Sequence, residues 1–268
     1  EDQERTMDFF HHGMSTLAGK GDKILILMPG ERPGGIGDLL QRSLMRLCVH
    51  GVIYGPVDKP EKLWGILENE SFDGIVGIPK QVLSVVRYGM QTGKKLFGKI
   101  KSVLLSADYV PNAIVNEIKN AWNCEVFEHY GMTEMGLGGG VACKAFKGYH
   151  LREADLYFEV IDPNTGYSVK NGQHGEVVFT TLTRKGMPLI RYRTGDWSRF
   201  IQEPCPCGTV LQRLDKICYR INNKIDLKNK ESLTISELDE ILFPIKGILD
   251  FDVDISDETE QDYLSIRI

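Results

Sequence analysis

The chain has 268 residues, of which 42% are hydrophobic, 9% aromatic and 26% charged, a composition typical of a globular protein. This composition excludes a disordered chain, a collagen and a coiled coil, and the length suffices to bury a sizeable core without disulfides or metal. The 32 basic and 37 acidic residues are interspersed and give a net charge of −5. The sequence therefore predicts neither a nucleic-acid partner nor an anionic membrane partner.

The chain ends and the number of cysteines indicate the cellular compartment of the protein. The N-terminus has no charged-then-apolar leader, and six cysteines are too few for a secreted disulfide framework, so we expect a cytoplasmic protein. The longest aliphatic run, residues 24–28, is far shorter than the roughly 18 residues that a membrane-spanning helix requires. Because the chain starts at Glu1 and residues 264–268 resemble a strand, we expect a piece of a longer protein.

Short apolar runs alternate with helix-length amphipathic segments from Asp22 to about Glu128. This alternation predicts an α/β fold with a mainly parallel sheet and flanking helices. Pro111 is expected in the first turn of a helix that runs to Trp122. The strand candidates are residues 24–28, 52–54, 74–78, 103–106 and 124–127.

From Asp155 the pattern changes to strands and turns, which predicts a β-rich subdomain. Residues 236–242 resemble a short helix followed by two strand-like runs, typical of the start of a small α+β domain, with a boundary near Arg220. We therefore expect an α/β subdomain over 1–150, a β-rich subdomain over 151–219 and a truncated C-terminal domain over 220–268. The β-rich candidates are a strand at 156–161, a turn at 162–166 and strands at 176–181 and 189–192.

A glycine-rich stretch, residues 29–37, lies between a strand and a helix, where phosphate loops are found. It matches no phosphate-loop pattern, and Pro29 and Pro33 remove N–H donors that such a loop would offer. We favour a plain strand-to-helix turn over a phosphate loop.

The segment Tyr130-Gly131-Met132-Thr133-Glu134 follows a predicted parallel strand, at the sheet edge where open α/β sheets bind ligands. Tyr130 could stack on a base, Thr133 could bond a phosphate oxygen and Glu134 could bind Mg²⁺. A second segment, residues 191–196, is predicted to end a strand with Asp196, whose carboxylate could accept bonds from ribose hydroxyls. The alternative for it is a charged strand edge closed by a turn.

In this order and separation, the two segments resemble the adenylate-forming superfamily of acyl-CoA synthetases, peptide-synthetase adenylation domains and luciferases. The chain is most similar to the phenylacetate-CoA ligase-like branch. Three further segments support that branch: residues 106–111 at the adenine-binding turn, residues 148–150, and residues 205–208 before the hinge.

The resemblance implies a role for each matched residue. Ser106, Ala107, Asp108 and the Tyr130-Gly131-Met132 segment would frame the adenine of ATP or AMP. Thr133 and Glu134 would meet phosphate and Mg²⁺, Asp196 would hold the ribose, and Arg220 would be the hinge arginine. Such a site neutralises phosphate charge while a carboxylate attacks the α-phosphorus.

Four metal-ligating side chains lie in two places, Cys143 and His150 around one loop and Cys205 and Cys207 on a Cys-Pro-Cys-Gly turn. From spacing alone, a zinc site and free buried thiols are both open, and the resemblance favours a structural Zn²⁺. Cys48, Cys124 and Cys218 have apolar neighbours and are expected in the core.

His129 precedes Tyr130 and could line an acyl pocket, although a hydrogen-bonded structural histidine is the favoured interpretation.

Three parts of the family pattern are missing or changed: the upstream phosphate loop, the C-terminal lysine, and the glycine and acidic pair at the hinge. Where the resemblance implies Gly-Arg and an acidic pair, the hinge segment here is Tyr219-Arg220-Ile221-Asn222-Asn223.

The resemblance implies an ATP-dependent ligase that converts an aromatic or other small carboxylic acid to an acyl-adenylate and then to an acyl-CoA, with CoA as co-substrate. The changed hinge motivates two alternatives, an adenylating enzyme with another acceptor and a zinc-stabilised nucleotide-binding module without catalysis. The sequence is compatible with a homodimer.

Overall fold

Helices and short strands alternate through the first half of the chain in the computed structural model, which describes residues 1–96, 99–228, 231–256 and 262–268. The helices in those ranges are Asp2–Met14 (α1), Ile36–Arg46 (α2), Pro60–Asn69 (α3), Pro79–Gln91 (α4), Asn112–Trp122 (α5) and Ile235–Leu242 (α6). No helix within them is long and apolar enough to span a membrane.

Five parallel strands form the centre of the fold, in the order β5-β4-β3-β1-β2. Helices cover both faces of this sheet, which confirms the predicted α/β class. These strands are Lys23–Ile26 (β1), His50–Ile53 (β2), Gly74–Gly77 (β3), Ser102–Leu105 (β4) and Glu125–Tyr130 (β5).

Antiparallel strands extend this sheet beyond β5, in the order β6-β7-β12-β11, and a separate antiparallel sheet has the order β13-β10-β9-β8. The β-rich subdomain is therefore present. Its strands are Gly140–Val141 (β6), Tyr149–Leu151 (β7), Leu156–Ile161 (β8), Gly175–Thr181 (β9), Tyr192–Ser198 (β10), Phe200–Ile201 (β11), Arg213–Leu214 (β12) and Tyr219–Arg220 (β13).

The core lies on both faces of the parallel sheet, because alternate residues of a strand point to opposite sides. Ile24 and Ile26 of β1 pack with α1 and α2, whereas Leu25 of β1 and Leu27 just after it pack with α3, α4 and α5. All four side chains are at most 1% exposed. This explains why the strand is a continuous apolar run.

The C-terminal segment packs onto α4 and α5. Thr234 and Glu237 form a capping box that starts α6, and Phe243 just after the helix is fully buried in the core of the large sheet. The buried Arg87 donates to the Phe243 carbonyl at 2.6 Å and pairs with Glu117. In the described ranges, two antiparallel strand pairs flank α6: Lys224–Asp226 (β14) with Ser232–Thr234 (β15), and Asp252–Ser256 (β16) with Tyr263–Arg267 (β17).

The predicted domain boundary near Arg220 falls at the end of β13, the edge strand of the smaller sheet. Residues 229–230 and 257–261 of the predicted C-terminal domain lie outside the described residues. The division at Arg220 stays a prediction.

Several expectations were wrong in detail. Residues 189–191 are not a strand, because Arg191 has a φ of 48° in the left-handed region, so β10 begins at Tyr192. Pro111 caps α5 rather than occupying its first turn. Cys48 and Cys218 are exposed, since they lie in connecting turns, and Cys124 is partly buried.

The glycine-rich stretch forms the turn between β1 and α2, as favoured from the sequence. The Gly37 N–H donates to the Pro29 carbonyl at 2.9 Å, and a Cβ on Gly37 would lie 2.8 Å from that oxygen. The glycine therefore permits a close backbone approach within the turn.

Two helical glycines test the packing of α3 against α4. A Cβ on Gly89 would lie 2.1 Å from the buried Trp64 ring, whereas one on Gly65 would meet nothing within 4 Å. We expect Gly89→Ala to lower the free energy of unfolding by about 1–3 kcal/mol through overpacking. Gly65→Ala should raise it by about 0.5–1 kcal/mol through helix propensity. Urea unfolding measures both, and equal effects would contradict this packing.

Candidate nucleotide site and metal cluster

A cleft of about 540 Å³ lies at the carboxyl ends of β4 and β5, against the β-rich sheet. Its position matches the rule that open α/β sheets bind ligands beyond the strand ends. The cleft is lined by every residue to which the resemblance assigned a role in binding the nucleotide or its phosphates: Ser106, Ala107, Asp108, Tyr130, Gly131, Met132, Thr133, Glu134, Asp196 and Arg220.

The turn after β4 forms one wall of the cleft. Ala107 has a φ of 73°, a left-handed conformation that is strained for alanine, and Asp108 accepts the Tyr109 N–H at 2.8 Å. The Tyr109 hydroxyl donates to Glu240 of α6 at 3.0 Å. The turn is therefore held by the C-terminal segment.

Tyr130 is the last residue of β5 rather than the residue after a strand. Its ring is 7% exposed and lies 5.8 Å from the Tyr149 ring, centroid to centroid. Burial, together with the Asp196 carboxylate, raises the pKa of the Tyr130 phenol well above its ordinary value. The protonated hydroxyl donates to Asp196 Oδ2 at 2.8 Å.

Asp196 lies inside β10, which corrects the expectation that it ends a strand. Gly195 before it has a φ of 74°, and the pairing register shifts between Arg193 and Trp197, so the strand bulges at this point. Arg220 lies opposite Asp196 on the neighbouring strand β13, and its Nε donates to Asp196 Oδ1 at 2.9 Å. The hydrogen bond to this carboxylate raises the pKa of Arg220.

Thr133 and Glu134 lie in a single 3₁₀ turn directly after the strand end. Arg184 donates to the Glu134 carbonyl, and Thr6 donates to the Gly136 carbonyl at 3.0 Å. In the ranges that the structure covers, neither the Thr133 hydroxyl nor the Glu134 carboxylate makes a hydrogen bond. Both groups are available to a phosphate or a divalent cation.

The four predicted metal ligands come together, with their ligand atoms all within 4.8 Å of one another. Cys143 Sγ lies 3.6 Å from Cys205 Sγ, and Cys207 Sγ lies 3.5 Å from His150 Nε2. A tetrahedral zinc with ordinary bond lengths separates two sulfurs by about 3.8 Å, and a sulfur from a nitrogen by about 3.6 Å. The cluster therefore fits zinc, and with four protein ligands the site would be structural.

Arg213 holds the two loops that carry these ligands. It is 3% exposed and donates to the carbonyls of Lys147 and Glu203, one on each loop. β12 places Arg213 opposite His150 of β7.

Two sets of residues were missed in the sequence. Thr6 and Arg184 brace the turn at Glu134 from segments far away in the chain, and no local pattern marks them. Tyr149 was noted only as part of residues 148–150, although it lines the cleft beside Tyr130.

The family model described as AMP-binding enzyme matches residues 43–182. This chain belongs to that family, the adenylate-forming superfamily. A stretch of 132 residues is 32% identical to phenylacetate-coenzyme A ligase of Thermus thermophilus and covers 48% of this chain and 29% of that protein. A stretch of 160 residues is 28% identical to the Escherichia coli enzyme of the same name and covers 58% of this chain and 36% of that protein.

Several solved structures share the fold of this chain. A 2-hydroxyisobutyryl-CoA ligase in complex with 2-HIB-AMP superposes with a TM-score of 0.87 at 21% identity, over 99% of this chain and 58% of that chain. The anthranilate CoA ligase AuaEII in complex with anthranoyl-AMP superposes with a TM-score of 0.71 at 11% identity, over 99% of this chain and 52% of that chain. These two neighbours are named for different acids.

Replacing Cys205 tests the metal cluster. We expect the protein to carry about one zinc per chain, and Cys205→Ser to lose most of it with a loss of stability, because three ligands and a hydroxyl hold zinc weakly. Cys48→Ser changes an exposed thiol outside the cluster and is the control. Elemental analysis and thermal unfolding give the two readouts. Equal zinc content in both variants would contradict the site.

Proposed function

We propose that the protein is an ATP-dependent carboxylate-CoA ligase acting on an aromatic or other small carboxylic acid. The observation that supports this proposal is the convergence of the predicted residues on one cleft, with Asp196 bonded to both Tyr130 and Arg220. Family membership supports the adenylate-forming chemistry, and the curated relatives support CoA as the acceptor.

The nucleoside of ATP would lie between the turn after β4 and Tyr130. Each oxygen of Asp196 accepts one hydrogen bond from the protein and keeps a lone pair for a ribose hydroxyl. Because Tyr130 and Arg220 hold the carboxylate in place, the ribose position would be defined before the reaction.

In the first half-reaction, a carboxylate oxygen of the acid attacks the α-phosphorus, and the bond from that phosphorus to the bridging oxygen breaks. Pyrophosphate leaves with the bond electrons, and no proton has to be removed. The residues therefore act by position and charge: Thr133 donates a hydrogen bond to phosphate, and Glu134 would hold Mg²⁺, which offsets the phosphate charge. In the second half-reaction, the CoA thiol displaces AMP, and the thiol proton is released.

A second candidate is an adenylating enzyme with an acceptor other than CoA. Arg220 is followed by Ile221, Asn222 and Asn223 in a 3₁₀ turn, where the family has an acidic pair, and Asn223 borders the cleft. A changed hinge bears on the second half-reaction rather than the first. CoA-dependent release of AMP by the full-length protein supports the first candidate, and release that needs an amine instead supports the second.

Acid-dependent exchange of pyrophosphate into ATP tests the adenylation step itself. We expect Glu134→Gln in the full-length protein to lower exchange by about 10²-fold or more, because the metal loses its carboxylate ligand. AMP has no β- or γ-phosphate, so AMP binding should stay within about twofold of wild type. Glu125→Gln, at the exposed start of β5, is the matched control. Exchange that survives Glu134→Gln would exclude the metal role, and exchange with no acid would exclude adenylation.

A further inference from the structure

A carboxylate of the C-terminal segment contacts the turn after β4 and the start of α5 together. Glu240 lies in α6, 131 residues beyond Tyr109 in the chain. Its Oε1 accepts the Tyr109 hydroxyl at 3.0 Å and the Asn112 N–H at 2.9 Å. Tyr109 lines the nucleotide cleft, as do Ile235 and Ser236 at the start of α6, whereas Glu240 does not. Glu240 therefore contacts the wall of the cleft without being part of it.

The start of α5 lacks an acceptor of its own. The first N–H groups of an α-helix have no partner within the helix, and α5 begins at Asn112 after Pro111, whose side chain has no oxygen to cap it. Glu240 supplies the missing acceptor, and a negative charge is favourable at this end of a helix. The carboxylate thus fixes the position at which α5 begins, directly after the turn that lines the cleft.

The turn after β4 depends on such support from outside. Ala107 has a φ of 73°, and a left-handed alanine persists only where its surroundings hold it. Lys216 donates to the Val110 carbonyl and lies over the Tyr109 ring, 5.1 Å from its centroid. Glu240 holds the hydroxyl at the other end of the same side chain. Two charged residues therefore fix the segment that follows the strained alanine.

The C-terminal segment has other anchors that do not involve Glu240. Phe243 is fully buried in the core of the large sheet, and the buried Arg87 donates to its carbonyl at 2.6 Å. Lys80 of α4 donates to Asp250 at 2.8 Å. Replacing Glu240 should therefore free the turn after β4 while the segment stays in place.

We propose that Glu240 is a positioning residue for the nucleotide, which raises the affinity for AMP and ATP through Tyr109 and the start of α5 without touching either ligand. The inference rests on the proposed function, because it takes the turn after β4 as the wall against which the adenine lies. A wall that is held in place before binding does not have to be ordered by the nucleotide, so the affinity is higher. Coupling of this kind is reciprocal, so bound AMP also strengthens the contact between Glu240 and the turn.

Calorimetric titration of AMP into variants of the 268-residue chain tests the inference. We expect Glu240→Ala to weaken AMP binding by about fivefold or more. Glu240→Gln should stay within about twofold of wild type, because its amide oxygen can accept the same two hydrogen bonds. Tyr109→Phe should weaken binding less than Glu240→Ala, and combining the two should add no further loss, because both remove the same hydrogen bond. Glu61→Ala removes an exposed carboxylate from the first turn of α3 and is the matched control.

Two further measurements separate positioning of the nucleotide from a purely structural role. In NMR hydrogen exchange, AMP should slow exchange of the Asn112 amide in wild type and leave it unchanged in Glu240→Ala. In acid-dependent pyrophosphate exchange by the full-length protein, Glu240→Ala should raise KM for ATP by the factor seen for AMP, with KM for the acid unchanged.

Equal AMP affinity in wild type and in a folded Glu240→Ala would overturn the inference. A loss in Glu240→Gln as large as in Glu240→Ala would also overturn it, since that result indicates an effect of charge alone, as would losses that add in the double variant. Should Glu240→Ala not fold, wild type decides, because an Asn112 amide whose exchange AMP does not slow overturns the inference by itself. All these results leave the ligase proposal intact, whereas no AMP binding by folded wild type would reject the nucleotide site and this inference with it.

Discussion

The arrangement of the cleft depends on the hydrogen bonds that the Asp196 carboxylate accepts. It accepts a hydrogen bond from Tyr130, at the end of the parallel sheet, and another from Arg220, on the edge strand of the β-rich sheet. Asp196 is 4% exposed, and these two donors offset the loss of water around its carboxylate. One side chain thereby links the two sheets that form the walls of the cleft and would also hold the ribose.

The other contacts around the cleft connect distant parts of the chain in a similar way. Arg184 and Thr6 hold the turn that carries Glu134, and the Ser106–His129 pair joins the ends of β4 and β5. The Cys and His cluster joins the loop after β6 to the loop between β11 and β12. Rigid backbone elements therefore position the charged groups, which is what adenylation chemistry requires of a protein that supplies charge and orientation.

Local patterns in the sequence predicted the α/β part well, because buried parallel strands such as β1 are continuous apolar runs between amphipathic helices. The family resemblance predicted which residues meet in the cleft, although Asp196 and Arg220 lie on a different sheet from Tyr130. Details of the backbone were harder to predict from the sequence. The left-handed conformation of Arg191 and the bulge at Asp196 depend on tertiary contacts that a short stretch of sequence does not contain. The hydrogen bond between Ser106 and His129 could not be inferred either, because it joins the ends of two strands and its partners are 23 residues apart in the chain.

Calorimetric titration of AMP into the 268-residue chain tests most directly whether Asp196 organises a nucleotide site. We expect saturable AMP binding by the wild-type chain and by the control Asp58→Asn, which changes an exposed aspartate away from the cleft. In Asp196→Asn the affinity for AMP should be weaker by about tenfold or more, because charged hydrogen bonds to the ribose are lost. Circular dichroism establishes that each variant is folded. Equal affinity in wild type and Asp196→Asn, or no binding by the folded wild-type chain, would contradict the account.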